Sequence, residues 1–533
     1  MKYKLSLLLL IISISAKAQQ LYGPLGNDVN NLFAPELNKL GNTVHTSIRP
    51  YQLMEIENSI NSDSIINKEL YFNVPKRSVL YRKLKREDLV KIDSGDFHLV
   101  VNPLFNFEFG KDLVTNSSTH INARGLTFQG SIGKKFSFSS TFYENQGVFV
   151  PYLDASIRQN LVVPGQGYIR GFKNGFDYGM ASGYISYSPS KYFNFQFGHD
   201  KNFIGDGYRS LLLSDNSYNY PFLKITTTIW KIKYVNIWAE FQDLNNPVFQ
   251  GAGNYYRKKY GTFHYLSYNV SKRLNIGLFE SVIWQASDTL GYRGVDVNYL
   301  NPIIFYRPVE FSLGSPDNVL LGLNLKFKIN NSNSLYGQVI IDEFKLSEVK
   351  SNKGWYGNKQ GFQLGLKSFD LFTVKNLSFQ SEYNLVKPYT YSEASPIINY
   401  AHYNQPLAHP LGSNFMESVS FLKYRYKSIY GVIKFMYAIH GSDTAGENFG
   451  NNVYQPYLSA LPKHEYGNYI GSGLEKTLIY KDFRIGYIVN PKTNLTIEFG
   501  ISSRTEKDIY SSKQTNFIYF GIRTSLTNFY YDF

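Results

Sequence analysis

The sequence predicts an all-β protein: a transmembrane antiparallel β-barrel of the outer-membrane kind, with about 18 strands and a small N-terminal periplasmic helical element. Three observations predict it. An export leader opens the chain, period-two alternation of apolar and polar residues runs through most of it, and the composition is aromatic yet polar. The 45 Tyr and 40 Phe bring aromatics to 17%, while mean hydropathy is −0.28. That pairing suits a lipid-facing band and aromatic girdles around a wet interior.

Residues 1–18 read as a signal peptide. Lys2 and Lys4 form the charged n-region, Leu5 to Ile14 the apolar run, and Ala16-Lys17-Ala18 the small-residue cleavage site before Gln19. A membrane anchor is the weaker reading, because the run falls short of the ~20 residues a helix needs to cross a bilayer. No later stretch reaches that length, which excludes a helical membrane protein. With no cysteine in the chain, lipobox acylation, disulfides, thiolate metal sites and cysteine nucleophiles are excluded as well.

Residues 19–96 lack the alternation. Ser78 to Lys91 is helix-compatible, with Leu80 and Leu84 one turn apart and Lys83, Lys85 and Arg86 mixed with Glu87 and Asp88. The segment reads as periplasmic, with one or two short helices bracing the barrel base; a loosely ordered tail is the alternative.

Residues 97–533 read as the barrel. Leu321, Leu323, Leu325, Phe327 and Ile329 share one face against Gly322, Asn324, Lys326, Lys328 and Asn330. The same split separates Leu377, Phe379 and Tyr383 from Ser378, Gln380, Glu382 and Asn384, and Phe193, Phe195 and Phe197 from Asn194 and Gln196. It returns in Leu495, Ile497, Phe499 and Ile501 against Thr496 and Glu498. A soluble sandwich would alternate too. The number of such runs, their Phe and Tyr content, and a chain end reading Phe529-Tyr530-Tyr531-Asp532-Phe533 as a final aromatic strand favour the membrane barrel. At ~10 residues per tilted strand plus turn and loop, the span accommodates roughly 16 to 20 strands. Short turns are expected at Gly133-Lys134, Asn330 to Asn333 and Lys427-Ser428. Long loops are expected near 145–178, 200–220, 243–258, 387–415 and 441–471, and these are the candidate recognition surface.

Four clusters carry chemistry. Gly198 to Ser210 packs Asp200, Asp206, Tyr208 and Arg209 into a loop that either binds a ligand or metal or folds in as a salt-bridged shape for the barrel mouth. Arg307 and Glu310 form a second, ion-pair candidate. Asp342 and Glu343 are adjacent and hence expected on opposite faces of a strand, against a paired-carboxylate mechanism. Lys423, Arg425 and Lys427 form a basic row on one strand face. With Lys326, Lys328 and Lys367 they make either a positive lumenal stripe for carboxylates or phosphates, or a structural network with Glu382 and Glu498. His402, His409 and His440 match no metal spacing, and no G-x-S-x-G or H-E-x-x-H occurs, so no catalytic residue, metal or cofactor is expected. Net charge of +14 reads either as a basic surface with no specific ligand or as affinity for an acidic polymer. Nucleic acid is not that polymer, since no recognition motif is visible and an exported protein rarely meets it.

The strings GHDKNFIGDGYRSLLLSD from Gly198, LNPIIFYRPVEF from Leu300 and NQPLAHPLGSNF from Asn404, with GNTVHTSIRPY from Gly41, resemble the Wzi-like capsule assembly family, and within it a gliding-motility branch. The resemblance covers most of the chain from about Gly41. It implies an 18-strand outer-membrane barrel with a small periplasmic helical element and a non-enzymatic role with surface polysaccharide, in capsule attachment or gliding motility. Expected partners are acidic surface polysaccharide, outer-membrane lipid and other motility or cell-surface proteins. An anion-selective porin-like channel is the alternative, and an outer-membrane lipid hydrolase a third reading.

Overall fold

The computed structural model describes residues 21–70, 78–249, 255–288, 291–302, 304–305, 308, 317–444 and 446–533. The expected signal peptide and the pair Arg307 and Glu310 lie outside the described residues.

Four helices precede the barrel: α1 (Asn27–Asn38), α2 (Leu53–Ser59), α3 (Ser62–Leu70) and α4 (Val79–Lys85). The sequence reading expected one or two. The extra ones are polar and short, α1 even carries Pro35, and such segments are held by tertiary packing rather than by propensity. At α4 the Ser78 hydroxyl accepts from Tyr81 N at 3.4 Å, and Arg82, Lys83 and Lys85 crowd the last turn, where the helix dipole favours cations. The helix stops well before Lys91, because Val90–Ser94 is extended.

The barrel strands are β1 (Phe97–Asp112), β2 (Ser118–Ile132), β3 (Phe136–Val148), β4 (Gly175–Tyr187), β5 (Phe193–Asp200) and β6 (Tyr220–Ile229). Next come β7 (Ile232–Phe249), β8 (Tyr255–Asn269), β9 (Leu274–Gln285), β10 (Asn318–Lys328), β11 (Asn333–Glu343) and β12 (Lys359–Phe369). The last six are β13 (Leu377–Val386), β14 (Phe415–Tyr426), β15 (Ile429–Ser442), β16 (Leu474–Asn490), β17 (Leu495–Lys507) and β18 (Ser512–Thr524). Each pairs antiparallel with its sequence neighbours, and β18 closes on β1 through Phe517 opposite Asp112 and Arg523 opposite Asn106. Closure leaves no open edge, the condition for strands to cross a bilayer.

The alternation holds in space. On β5 the rings of Phe193, Phe195 and Phe197 face outward while Asn194 and Gln196 are buried inside. On β10 Leu325 and Phe327 point out and Asn324, Lys326 and Lys328 point in. Turns at one end are short, including 133–135, 230–231, 329–332 and 427–428, as expected. Long connections gather at the other end, which by the usual rule is the outer one. Two loop expectations change. The 243–258 stretch is mostly strand, with Pro247 opposite Tyr256 and Phe249 opposite Tyr255 across register shifts that accommodate its Pro and Asn residues. The connections 286–317 and 344–358, not foreseen, are long.

The final aromatic strand is also corrected. β18 ends at Thr524, and residues 525–533 turn back into the lumen. Gly26 N donates to Leu526 O at 2.9 Å, the Tyr530 hydroxyl to Asp215 at 2.7 Å and the Tyr152 hydroxyl to Tyr531 O. Asp532, inside a strand, would have no such partners; in the lumen it meets cations. A helix α5 (Pro151–Asn160) from the β3–β4 connection packs Leu153 and Ile157 beside Tyr531 and Phe533.

Candidate functional site

Strand β5 ends at Asp200, whose carboxylate accepts from Lys201 N at 2.8 Å, and the 201–219 loop then plunges inward. Ile48-Arg49 of the N-terminal segment pairs with Phe203-Ile204 of that loop. Ser214 N donates to Leu407 O at 2.8 Å, bringing in the 387–414 loop. Four segments, distant in sequence, thus meet in the lumen: the N-terminal part, these two loops and the C-terminal tail. Leu211, Leu212 and Leu213 are fully buried at their meeting point with Tyr391 and Tyr400.

Arg209 holds the centre. Its Nη2 lies 2.8 Å from Glu417 Oε1 and 3.1 Å from Asp532 Oδ1. Glu417 also contacts His409 Nε2 and accepts from Asn384 Nδ2, each at 2.9 Å. Asp532 accepts from the Tyr208 hydroxyl at 3.0 Å and Lys434 Nζ at 3.1 Å. Burial alone would raise the Asp532 carboxyl, but Arg209 and Lys434 outweigh it and hold the group well below the usual carboxylate range. The backbone amides of Tyr208 and Arg209 donate to Glu382 at 2.8 and 3.1 Å. That approach needs Gly207: a Cβ there would stand 2.4 Å from Glu382 Oε2. Asp206 accepts from Thr46 at 2.6 Å and lies 3.4 Å from Lys326. Burial opposes its charge, yet Lys326 and Lys367 keep its carboxyl below the ordinary value.

Of the expected site residues, Asp206, Tyr208 and Arg209 are therefore brought together as an ion-paired stopper. Asp200 sits apart at the strand end. The Tyr208 ring is already packed edge-on against Phe421 and Tyr530, at 4.7 and 5.3 Å between centroids. The basic row divides. Lys423 faces the lumen, Arg425 pairs with Glu69 of α3 at 3.4 Å, and Lys427 lies exposed in the β14–β15 turn with φ 54°. Lys427 thus leaves the common face expected of the three, because a two-residue turn needs a left-handed position there. The partners of the lumenal lysines also differ from those expected. Lys328 donates to the carbonyls of Leu37, Lys39 and Asn42, tying down the end of α1. Glu382 serves backbone amides and Tyr336, and Glu498 serves Tyr430, Tyr519 and Arg523.

The adjacent pair Asp342 and Glu343 does not split across the sheet. A register shift after Ile341 lets both reach Lys359, at 3.2 Å each, with Glu393 at 3.4 Å. The ammonium occupies the centre of this acidic group. His402 accepts from Gln242 N at 3.0 Å through Nδ1, so Nε2 carries the proton that faces Asn219 O at 3.2 Å.

Between stopper and wall lies a cavity of about 290 Å³. The cations Arg49, Lys326, Lys367, Lys423, Lys434, Arg484, Arg504 and Arg523 line it and outnumber the carboxylates Asp28, Glu108, Asp206, Asp482 and Asp532. Most of these cations are answered, as Arg484 is by Asp482 at 3.0 Å and Lys434 by Asp532. Lys423 differs: among the described residues it makes no ion pair within 4 Å, and its ammonium lies 5.0 Å from the centre of the Phe421 ring, with Asp28 acting on it from further off.

A second group, at the long-loop end, escaped the sequence reading. Tyr218 stacks on Tyr403 at 4.8 Å, and Tyr256 lies 6.4 Å from Tyr168 and 6.5 Å from Tyr403. All four rings are half-buried. They come from three loops and one strand tip, so no local pattern could have announced them.

No family model matches the chain, and no curated protein matches it either. Among solved structures it is similar to Wzi of Escherichia coli, described as an outer membrane protein involved in group 1 capsule assembly and a carbohydrate-binding β-barrel. Identity is 15%, the match covers 95% of this chain and 100% of that one, and the TM-score is 0.55. OprD of Pseudomonas aeruginosa, at 10% identity, covering 83% and 96% with a TM-score of 0.41, is a looser likeness from which nothing is argued. The similarity to Wzi establishes a Wzi-like fold.

Proposed function

We propose that this protein is an outer-membrane barrel, exported by its leader, that holds acidic surface polysaccharide without catalysing a reaction, in capsule attachment or gliding motility. The observation that carries the reading is the stopper. A lumen crossed by four segments and locked through a buried Arg209 with two carboxylates is built to stay closed. The carbohydrate binding of Wzi supports the polysaccharide half, and the sequence resemblance to RemB, the gliding-motility member of the family, supports the motility half. Half-buried tyrosines at the long-loop end offer flat apolar faces rimmed by hydroxyls, suited to sugar rings.

Three measurements test this. Tyr218→Ala with Tyr403→Ala is expected to weaken binding of purified acidic extracellular polysaccharide in a pull-down, while Lys427→Ala has little effect. Unchanged affinity in the tyrosine double variant sinks the assignment. In a planar bilayer the intact protein is expected to pass little current; a steady anion-selective conductance would instead favour the porin-like channel. A deletion strain scored for colony spreading and capsule retention separates motility from attachment.

A further inference from the structure

α4 is an odd helix for a protein bathed in water. It has seven residues and none is buried. Isolated helices this short are marginal in water. Its apolar side chains are turned outward: Val79 is 62% exposed, Leu80 79% and Leu84 52%. The chain that follows continues the face with Leu89, Val90 and Ile92, all more than two-fifths exposed. Val90–Ser94 pairs with β1, Val90 opposite Val101 and Ile92 opposite Leu99, so this apolar strip joins the rim of the barrel directly.

The location is decisive. The side-chain amide of Asn490, at the short-turn end of β16, donates to the carbonyls of Lys83 and Glu87 at 3.1 Å each. Lys85 Nζ lies 4.7 Å from the ring centre of Tyr487, which points outward from the wall. α4 therefore leans on the outside of the barrel, level with the end of the lipid-facing belt that Tyr487, Ile497 and Phe499 continue. Around its apolar side chains stand Arg82, Lys83, Lys85 and Lys91. Glu87 answers Arg82 at 3.5 Å and Lys83 at 3.4 Å, and Asp93 answers Lys91 at 2.6 Å. The cations remain in excess of the carboxylates Glu87, Asp88 and Asp93.

Resting on the reading of this chain as a membrane barrel, we propose that α4 and the Val90–Ser94 strand form a phospholipid-docking surface. Val79, Leu80 and Leu84 sit at the boundary between headgroups and acyl chains of the leaflet at the short-turn end, and the surrounding lysines and Arg82 take anionic headgroup phosphates. Amphipathic helices with a basic polar face lie in membrane interfaces in this way, and basic clusters beside a membrane surface draw anionic lipid. The apolar face then has a solvent that suits it, continuous with the solvent of the belt.

The chain has no cysteine, so single-cysteine variants can be labelled with a nitroxide at one point each. Leu80→Cys, Leu84→Cys, Phe499→Cys in the belt and Lys272→Cys in a short turn are folded into vesicles, with heat-modifiable gel migration confirming each barrel. Power saturation with oxygen and with a water-soluble nickel chelate reads the depth of each label. In vesicles containing phosphatidylglycerol, labels at 80 and 84 are expected to resemble 499, with nickel access several-fold below that at 272. In pure phosphatidylcholine they are expected to move toward water. Labels at 80 and 84 as open to nickel as 272, with 499 still in lipid, overturn the proposal and leave the barrel standing. A label at 499 open to nickel overturns the membrane reading itself. Equal depth in both vesicle types removes the anionic-headgroup contribution.

Discussion

Arg209 shows what one side chain can hold together. Breaking a buried ion pair by removing one partner typically costs ~3–5 kcal/mol, because the remaining charge is left without compensation. Arg209→Met takes the shared cation from Glu417 and Asp532 and leaves them with His409, Asn384, Tyr208 and Lys434, so a loss toward the lower end of that range is expected, read as a lower urea concentration for proteinase cleavage within the 201–219 loop. Asp532 adds a pH dependence. Its carboxyl is depressed in the folded protein, so its contribution is complete above the ordinary Asp value of about 3.9 and is lost as pH falls below it toward the folded value. The stability advantage of the wild type over Asp532→Asn is thus expected to stay flat from pH 8 to about 5 and to shrink only in stronger acid. A difference that already shrinks near neutrality would contradict the pairing. The string from Gly198 to Ser210 announced this site in sequence. Its partners did not announce themselves: Glu417 and Asp532 lie hundreds of positions away, and nothing local ties them to Arg209.

Among the elements, strands were the most legible, because lipid outside and a largely polar lumen inside favour period two. β5 follows its pattern from Phe193 to Gly198, and β10 does so from Asn324 to Lys328. Elements stabilised from elsewhere were not legible. α1 owes its place to contacts such as Lys328 with its last carbonyls, and the strand tips near Pro247 are kept extended by bulged pairing. The C-terminal nonapeptide looked like a strand since Phe529, Tyr531 and Phe533 alternate; the burial of Asp532 decided otherwise. Truncation after Thr524 leaves the pairing of β18 with β17 and β1 untouched and removes one of four lumenal segments. It is expected to preserve heat-modifiable migration while raising single-channel conductance above that of the intact protein.

At the scale of the whole molecule, the outside and the inside obey opposite rules. Phe435 and Lys434 are neighbours on β15, one facing out and the other bonded to Asp532. Phe435→Arg is expected to cost ~2–4 kcal/mol in folding equilibria with lipid vesicles, the usual range for a cation on the lipid face near mid-depth. A change near zero would place this face in water. The same contrast explains why the composition is aromatic and polar at once: one set of alternate residues meets hydrocarbon, and the other meets the stopper and its cavity.

The placement of residues 525–533 in the lumen sets a rule for handling this protein. Phe533 O accepts from Arg504 at 3.0 Å, one residue beyond the ion pairs of Asp532. An affinity handle or fluorescent reporter inserted within residues 525–533 would have to draw these residues out, and the barrel so tagged would be an unlatched one. Insertion beside Tyr466, exposed in the 443–473 connection, keeps the latch shut and displays the tag on the other face.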